Sequence, residues 1–181
     1  MTKAGKEFFI SPNSLVTLVT LVTLVTLPSC KAPSSSARKP DAAMSLDENR
    51  PKMKDFVMTT HEGPYLRHRL YADQAHLFEQ DKKVLVFAPK LEIYQKESAA
   101  DLLVRAEGDE GLIWLDTKDV MFRENVRYRV IPKKYHLTTS RLYYWYQRGE
   151  TEVPEGTGYV LTTTSGTVEG SGMISREDLT Q

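Results

Sequence analysis

The chain has 181 residues, with 24 Lys and Arg against 24 Asp and Glu and a pI near 6.9. No overall charge draws it to nucleic acid or to acidic membrane surfaces. Its one cysteine, Cys30, excludes a disulfide-stapled fold and the usual cysteine-based zinc and redox motifs.

Residues 15–27, LVTLVTLVTLVTL, form an apolar-leaning run of 13 residues. That is the length of a signal-peptide h-region and short of the roughly 20 residues of a membrane span. Lys3 and Lys6 precede it. Leu27-Pro28-Ser29-Cys30 resembles a bacterial lipobox, with a bulky residue three places before the cysteine and a small one directly before it. This marks 1–29 as a lipoprotein-type signal peptide and Cys30 as the site of lipid attachment. An uncleaved membrane anchor stays open, with Phe8, Phe9 and Ile10 extending the run across Ser11-Pro12-Asn13-Ser14. So does a buried strand or helix. Both export readings put the remainder outside the cytoplasm. Residues 30–50 are rich in Pro, Ser and Ala, carry mixed charge and lack apolar periodicity, as a flexible tether does.

From Phe56 onward the texture is that of short strands. Leu66, His68, Leu70 and Ala72 share one strand face, with Arg67, Arg69 and Tyr71 on the other. Residues 73–80 suit a turn or two of helix, though flanking strands favour continued β structure. Residues 84–88 and 91–94 flank Pro89, a corner or sheet-edge residue. Residues 102–106 and 112–115 flank a Gly-Asp-Glu-Gly turn. Val126, Tyr128 and Val130 alternate with Arg127 and Arg129, and 135–139, 142–146, 159–163 and 167–169 continue the pattern. No helical stripe competes, so the chain is expected to be all-β, a sandwich, barrel or jelly-roll. Ala72, Ala106 and Thr139 each close an apolar strand ahead of a polar corner, at spacings of 34 and 33 residues. Such a period belongs to stacked repeat units or to chance.

Catalytic constellations are missing. His61, His68, His76 and His136 show no tight metal-ligand spacing. Residues 51–178 hold no GxSxG elbow and no thiol. No metal, cofactor or catalytic residue is expected, and the chain reads as a non-enzyme.

Residues 51–178 resemble the LptC family of the lipopolysaccharide export bridge and, more loosely, LptA/OstA-like domains. The resemblance rests on the order of several motifs. These are the Glu62-Gly63 turn, the corner at Leu70-Tyr71-Ala72-Asp73, the Asp109-Glu110-Gly111 turn, and Glu124-Asn125-Val126 at the family's Gly-Asn-Val. Leu137-Thr138-Thr139-Ser140-Arg141-Leu142-Tyr143-Tyr144 and Gly170-Ser171-Gly172-Met173 complete the series. Glu124 stands where the family has glycine, which puts the backbone freedom of that corner in question. The family's usual N-terminal transmembrane helix is replaced here by the lipobox.

The resemblance implies a half-open, V-shaped, OstA-like β-jelly-roll with an apolar groove, which receives lipopolysaccharide from the inner-membrane Lpt ABC transporter and relays it to an LptA-like bridge protein by edge-to-edge strand pairing. Groove candidates are Leu70, Val126, Tyr128, Leu142 and Tyr144. Arg127 and Arg129, within a basic cluster with Arg123, Lys133 and Lys134, could bind lipid phosphates bidentately or form a solvated strand face. Tyr159, Leu161, Gly170, Gly172 and Met173 would dock the partner. In the run 142–146, Leu142, Tyr144 and Tyr146 share one face and Tyr143 with Trp145 the other, suiting a groove wall and a contact surface or ordinary core packing. The implied location is the periplasm, anchored to the inner membrane more than the outer. The alternative is a cell-envelope scaffold lipoprotein that binds only proteins.

Overall fold

The computed structural model describes residues 51–96 and 98–180. The expected signal peptide, Cys30 and the whole of the expected tether, residues 30–50, lie outside them. Ten strands make up the described chain: β1 (Lys52–Glu62), β2 (Tyr65–Phe78), β3 (Lys83–Phe87), β4 (Lys90–Gln95), β5 (Ser98–Glu107), β6 (Glu110–Trp114), β7 (Val120–Val130), β8 (Tyr135–Trp145), β9 (Glu150–Thr163) and β10 (Gly166–Arg176). Every pairing is antiparallel.

The topology follows from one bend repeated across the sheet. β2 pairs β4 through His68–Tyr71 and β3 through Gln74–Phe78, so β3 and β4 lie end to end along its edge. β5 and β6 lie end to end along β7 in the same way. The joints are Ala88-Pro89 and Gly108-Asp109, where a proline without an N–H and a glycine break the ladder. The long strands bend at the same level. Their registers slip between Arg123 and Val126, between Thr139 and Tyr143, and between Ser171 and Met173. Left-handed backbone accumulates along this line, at Asp55, Ala88, Glu124, Asn125, Gly156 and Gly172. The line divides the sheet into two half-sheets whose inner faces meet. Leu70, Leu91, Val104, Tyr128 and Leu137 from one half join Val86, Ile113, Phe122, Leu142 and Tyr144 from the other in a single core. Each such large side chain stabilises the fold by about 1.5–3 kcal/mol. β1 pairs only β2, and β10 only β9, so the roll stays unclosed at both edges. This is a half-open β-jelly-roll.

Several expectations are refined. Residues 73–78 continue β2 rather than turning helical. The Gly-Asp-Glu-Gly turn is a corner between β5 and β6, which pair successive halves of β7. β1 starts before Phe56, and β9 starts at Glu150, where Pro154, Gly156 and Gly158 obscured a strand that carries the bend. Ala72, Ala106 and Thr139 all abut the fold line, so their spacing marks where the chain crosses it and not a repeat.

Glu124, where the resemblance led to the expectation of a glycine, takes the left-handed conformation with φ of 59°, and its carbonyl accepts the Asp109 N–H at 3.0 Å. A side chain in this region costs about 1–2 kcal/mol, partly offset by the lower unfolded-state entropy of a non-glycine residue. Glu124→Gly is therefore expected to stabilise the domain by up to about 1 kcal/mol, read as a higher denaturation midpoint in urea with unchanged slope.

Candidate functional site

The inner faces of the half-sheets form one apolar surface. Leu70, Val126, Tyr128, Leu142 and Tyr144 all lie there, each no more than 1 % exposed. The structure brings these groove candidates together as a packed interior, with Val126 also reaching the wall of one open cleft and Tyr144 that of another. A cavity of about 10 Å³ between Met58, Leu70, Leu91, Val120 and Tyr144 is too small to hold an acyl chain.

Arg127 and Arg129 fall on the outer face of β7. Arg127 is exposed and pairs with Glu107 at 3.3 Å, and Arg129 Nε donates to His136 Nε2 at 3.3 Å. Burial, then Arg129 and Arg127, lower the His136 pKa. The rest of the basic cluster disperses: Arg123 pairs with Glu110 at 3.2 Å and Lys133 with Asp178 at 2.7 Å. Arg127, Asn125, Thr138, Tyr159, Glu169 and Gly170 line an open cleft of about 960 Å³ beside the fold line. Candidates for phosphate contact and partner docking are thus neighbours. Tyr159, Leu161 and Met173 turn inward, half-buried against the core. Gly170 leaves room for the Tyr159 ring, whose Oη lies 2.6 Å from where a Cβ would stand. Gly172, with φ of 68°, packs 3.2 Å from the Glu155 Cα by the same measure.

Opposite the fold line, where the half-sheets come together at their free ends, the interior is polar. Thr60 Oγ1 lies 2.9 Å from His68 Nδ1, His68 Nε2 lies 2.7 Å from the Tyr144 hydroxyl, and that hydroxyl donates to Glu177 Oε2 at 3.1 Å. With one proton on Tyr144 committed to the carboxylate, the bonds assign a neutral, Nε2-protonated His68 that accepts from Thr60. Burial pushes the His68 pKa down to about 3, helped by Arg67 and then Lys118. Burial, then the charge of Glu177, raises the Tyr144 hydroxyl. Arg67, 6 % exposed, donates to the Tyr94 carbonyl and to Glu177 Oε1, and Tyr128 donates its hydroxyl to the Glu177 carbonyl. Sequence reading missed Arg67 and Glu177. His68 did carry a signal, as a polar side chain within the otherwise apolar row Leu66, Leu70, Ala72.

Among the described residues, no group of three or more His, Cys, Asp or Glu could hold a metal ion, and no helix is long and apolar enough to cross a membrane. A family model described as "Lipopolysaccharide-assembly, LptC-related" matches residues 15–177. No curated protein matches the chain.

The buried His68 makes stability acid-sensitive. Its folded-state pKa lies below the unfolded value of 6.5, so its contribution is full above pH 6.5 and is lost as pH falls toward 3. The loss amounts to a few kcal/mol, on the order of 1.4 kcal/mol per pH unit. His68→Gln is expected to flatten the fall in stability between pH 6.5 and 4 by about one proton. Urea titrations at several pH values check this.

Proposed function

This chain belongs to the LptC-related lipopolysaccharide-assembly family, and we propose that it takes the acyl chains of lipopolysaccharide between its half-sheets and passes the molecule along the export bridge. Membership carries a role in lipopolysaccharide transport, within a family of periplasmic, inner-membrane-associated transport components. The observation that carries the finer reading is the pairing of two apolar inner faces in a roll with unjoined edges. Parted, those faces offer acyl chains a place out of water worth about 0.8 kcal/mol per buried methylene. The sugars stay in solvent, with Arg127 and Arg129 within reach of phosphates at the outer face. No covalent bond is made or broken, so direction comes from the ATP-driven inner-membrane transporter. Cys30, or an uncleaved N-terminal segment, tethers the domain to the membrane.

The free edges support docking by strand addition. They carry exposed apolar side chains, Val57 on β1 at 54 % and Val168 and Ile174 on β10 at 54 % and 66 %. Lone edges of this kind are normally suppressed. β1 would face the transporter. β10, which carries Gly170, Gly172 and Met173 and is backed by Tyr159 and Leu161 of β9, would receive the LptA-like bridge protein. The closed interior favours a second reading, a scaffold that binds proteins alone.

In cells, a photo-crosslinking residue at Met58 or Leu161, both half-buried on the inner face near an edge, separates the two. Lipopolysaccharide adducts at both positions are expected. Folded protein giving only protein adducts favours the scaffold.

A further inference from the structure

The recess at the free ends of the half-sheets has a volume of about 690 Å³. Its walls come from the β1–β2, β4–β5 and β8–β9 turns and from the last residues of the chain. Lys96 and Arg148 at its rim are engaged by Glu62 at 3.8 Å and Glu150 at 3.2 Å. Arg67 differs. It too lies near Glu62, with Nε 3.9 Å from Oε2, but its side chain is only 7 % exposed, one terminal nitrogen is fixed by the Tyr94 carbonyl, and the other meets the Glu177 carboxylate. The second oxygen of that carboxylate takes the Tyr144 hydroxyl. Guanidinium and phenol thus form a preset two-donor cradle around one anionic group, the geometry that also suits a phosphate.

The anion now in the cradle comes from a turn, 177–180, beyond the last strand. That turn is seated by bonds at several points, among them Ser175 Oγ to the Thr180 carbonyl at 2.8 Å and Lys133 Nζ to the Asp178 carbonyl at 3.1 Å. Glu177 N–H donates to the Gly149 carbonyl at 2.9 Å, Lys133 holds Asp178 at 2.7 Å, and Leu179 packs on the core. Burial opposes ionisation of Asp178, but hydrogen bonds from Lys133 and Thr180 leave its pKa lowered. Glu177 also caps the hydroxyls of Tyr128 and Tyr144, two of the largest side chains of the interior. The Tyr128 bond is to the backbone carbonyl and the Tyr144 bond to the carboxylate, so lifting turn 177–180 frees both hydroxyls and takes Leu179 off the core in the same movement. The ligand that suits both consequences carries a phosphate directly beside acyl chains.

We propose that Arg67 and Tyr144 form a phosphate subsite for the headgroup of such an amphiphile. Glu177 is its built-in competitor, holding turn 177–180 over the interior until a phosphate takes its place. This rests on the lipid-binding reading above and deepens it.

The full chain is tested with diphosphorylated lipid A, the same lipid without phosphates, and inorganic phosphate. Glu177→Gln is expected to tighten diphosphorylated lipid A about tenfold, because the competent state no longer has to be released first, and to tighten the dephosphorylated lipid clearly less, since that lipid gains only the opened interior and not the vacated anion site. In the unaltered chain, which needs no variant to fold, hydrogen exchange at the Glu177 and Leu179 amides should quicken at least fivefold with the phosphorylated lipid alone. Equal binding of both lipids by both chains, or lipid binding with those amides still protected, overturns the subsite and leaves acyl-chain binding intact. Failure to bind either lipid removes both ideas. Inorganic phosphate that releases the amides at concentrations below the lipid's would assign the cradle to free phosphate and overturn the headgroup role.

Discussion

Every strand that crosses from one half of this roll to the other has to turn at the same level. A strand that bent early would leave its neighbours without hydrogen-bond partners on both sides of the bend. The chain meets this constraint with different local chemistry in each strand: Ala88-Pro89, Gly108, two consecutive left-handed residues at Glu124 and Asn125, Gly156 and Gly172. The shared bend lets the inner faces cover each other, and that coverage puts Tyr128, Tyr144 and Phe122 out of water. It also brings His68 within 2.7 Å of a residue 76 positions away. Core, recess and unpaired edges all follow from the one line.

Much of this was legible in the residues because a strand writes its two faces into alternate positions. Leu66, Leu70 and Ala72 announced an inner row. Tyr144 and Leu142 were separated from Tyr143 and Trp145 by parity alone, and the latter pair stack outside with ring centroids 5.4 Å apart. Pro89 marked a corner. The spacing of Ala72, Ala106 and Thr139 carried real information under a different meaning, the interval between successive crossings of the bend. Legibility failed where a strand contains its own breakers, as in the first half of β9. It failed also where a side chain's environment is made by distant segments. Arg67 reads as an outward residue from its parity, yet a turn at the end of the chain buries it.

The interior candidates share a related lesson. Apolar residues on the inner row are correctly assigned to the inside by pattern, but pattern cannot distinguish a lined groove from a closed core, since both bury the same side chains from water. The packing of Leu70, Val126 and Tyr128 at no more than 1 % exposure decides for the closed state of the free chain. At the free ends of the half-sheets, hydrogen bonds from Arg67 and Tyr144 to the Glu177 carboxylate are added to the apolar contact that joins the inner faces.

The pair formed by Arg67 and Glu177 has a kinetic side. The two residues are 110 positions apart, whereas the hairpins β1–β2, β7–β8, β8–β9 and β9–β10 join neighbours in sequence. Local pairings form first, because closing a long loop costs chain entropy before any contact rewards it. The pair therefore belongs to the last stage of folding, after the transition state has buried most of the roll. Contacts made that late slow unfolding while scarcely changing the rate of folding. An exported chain would emerge and collapse at a pace set by its hairpins, and the lifetime of the finished domain would be set by its final turn.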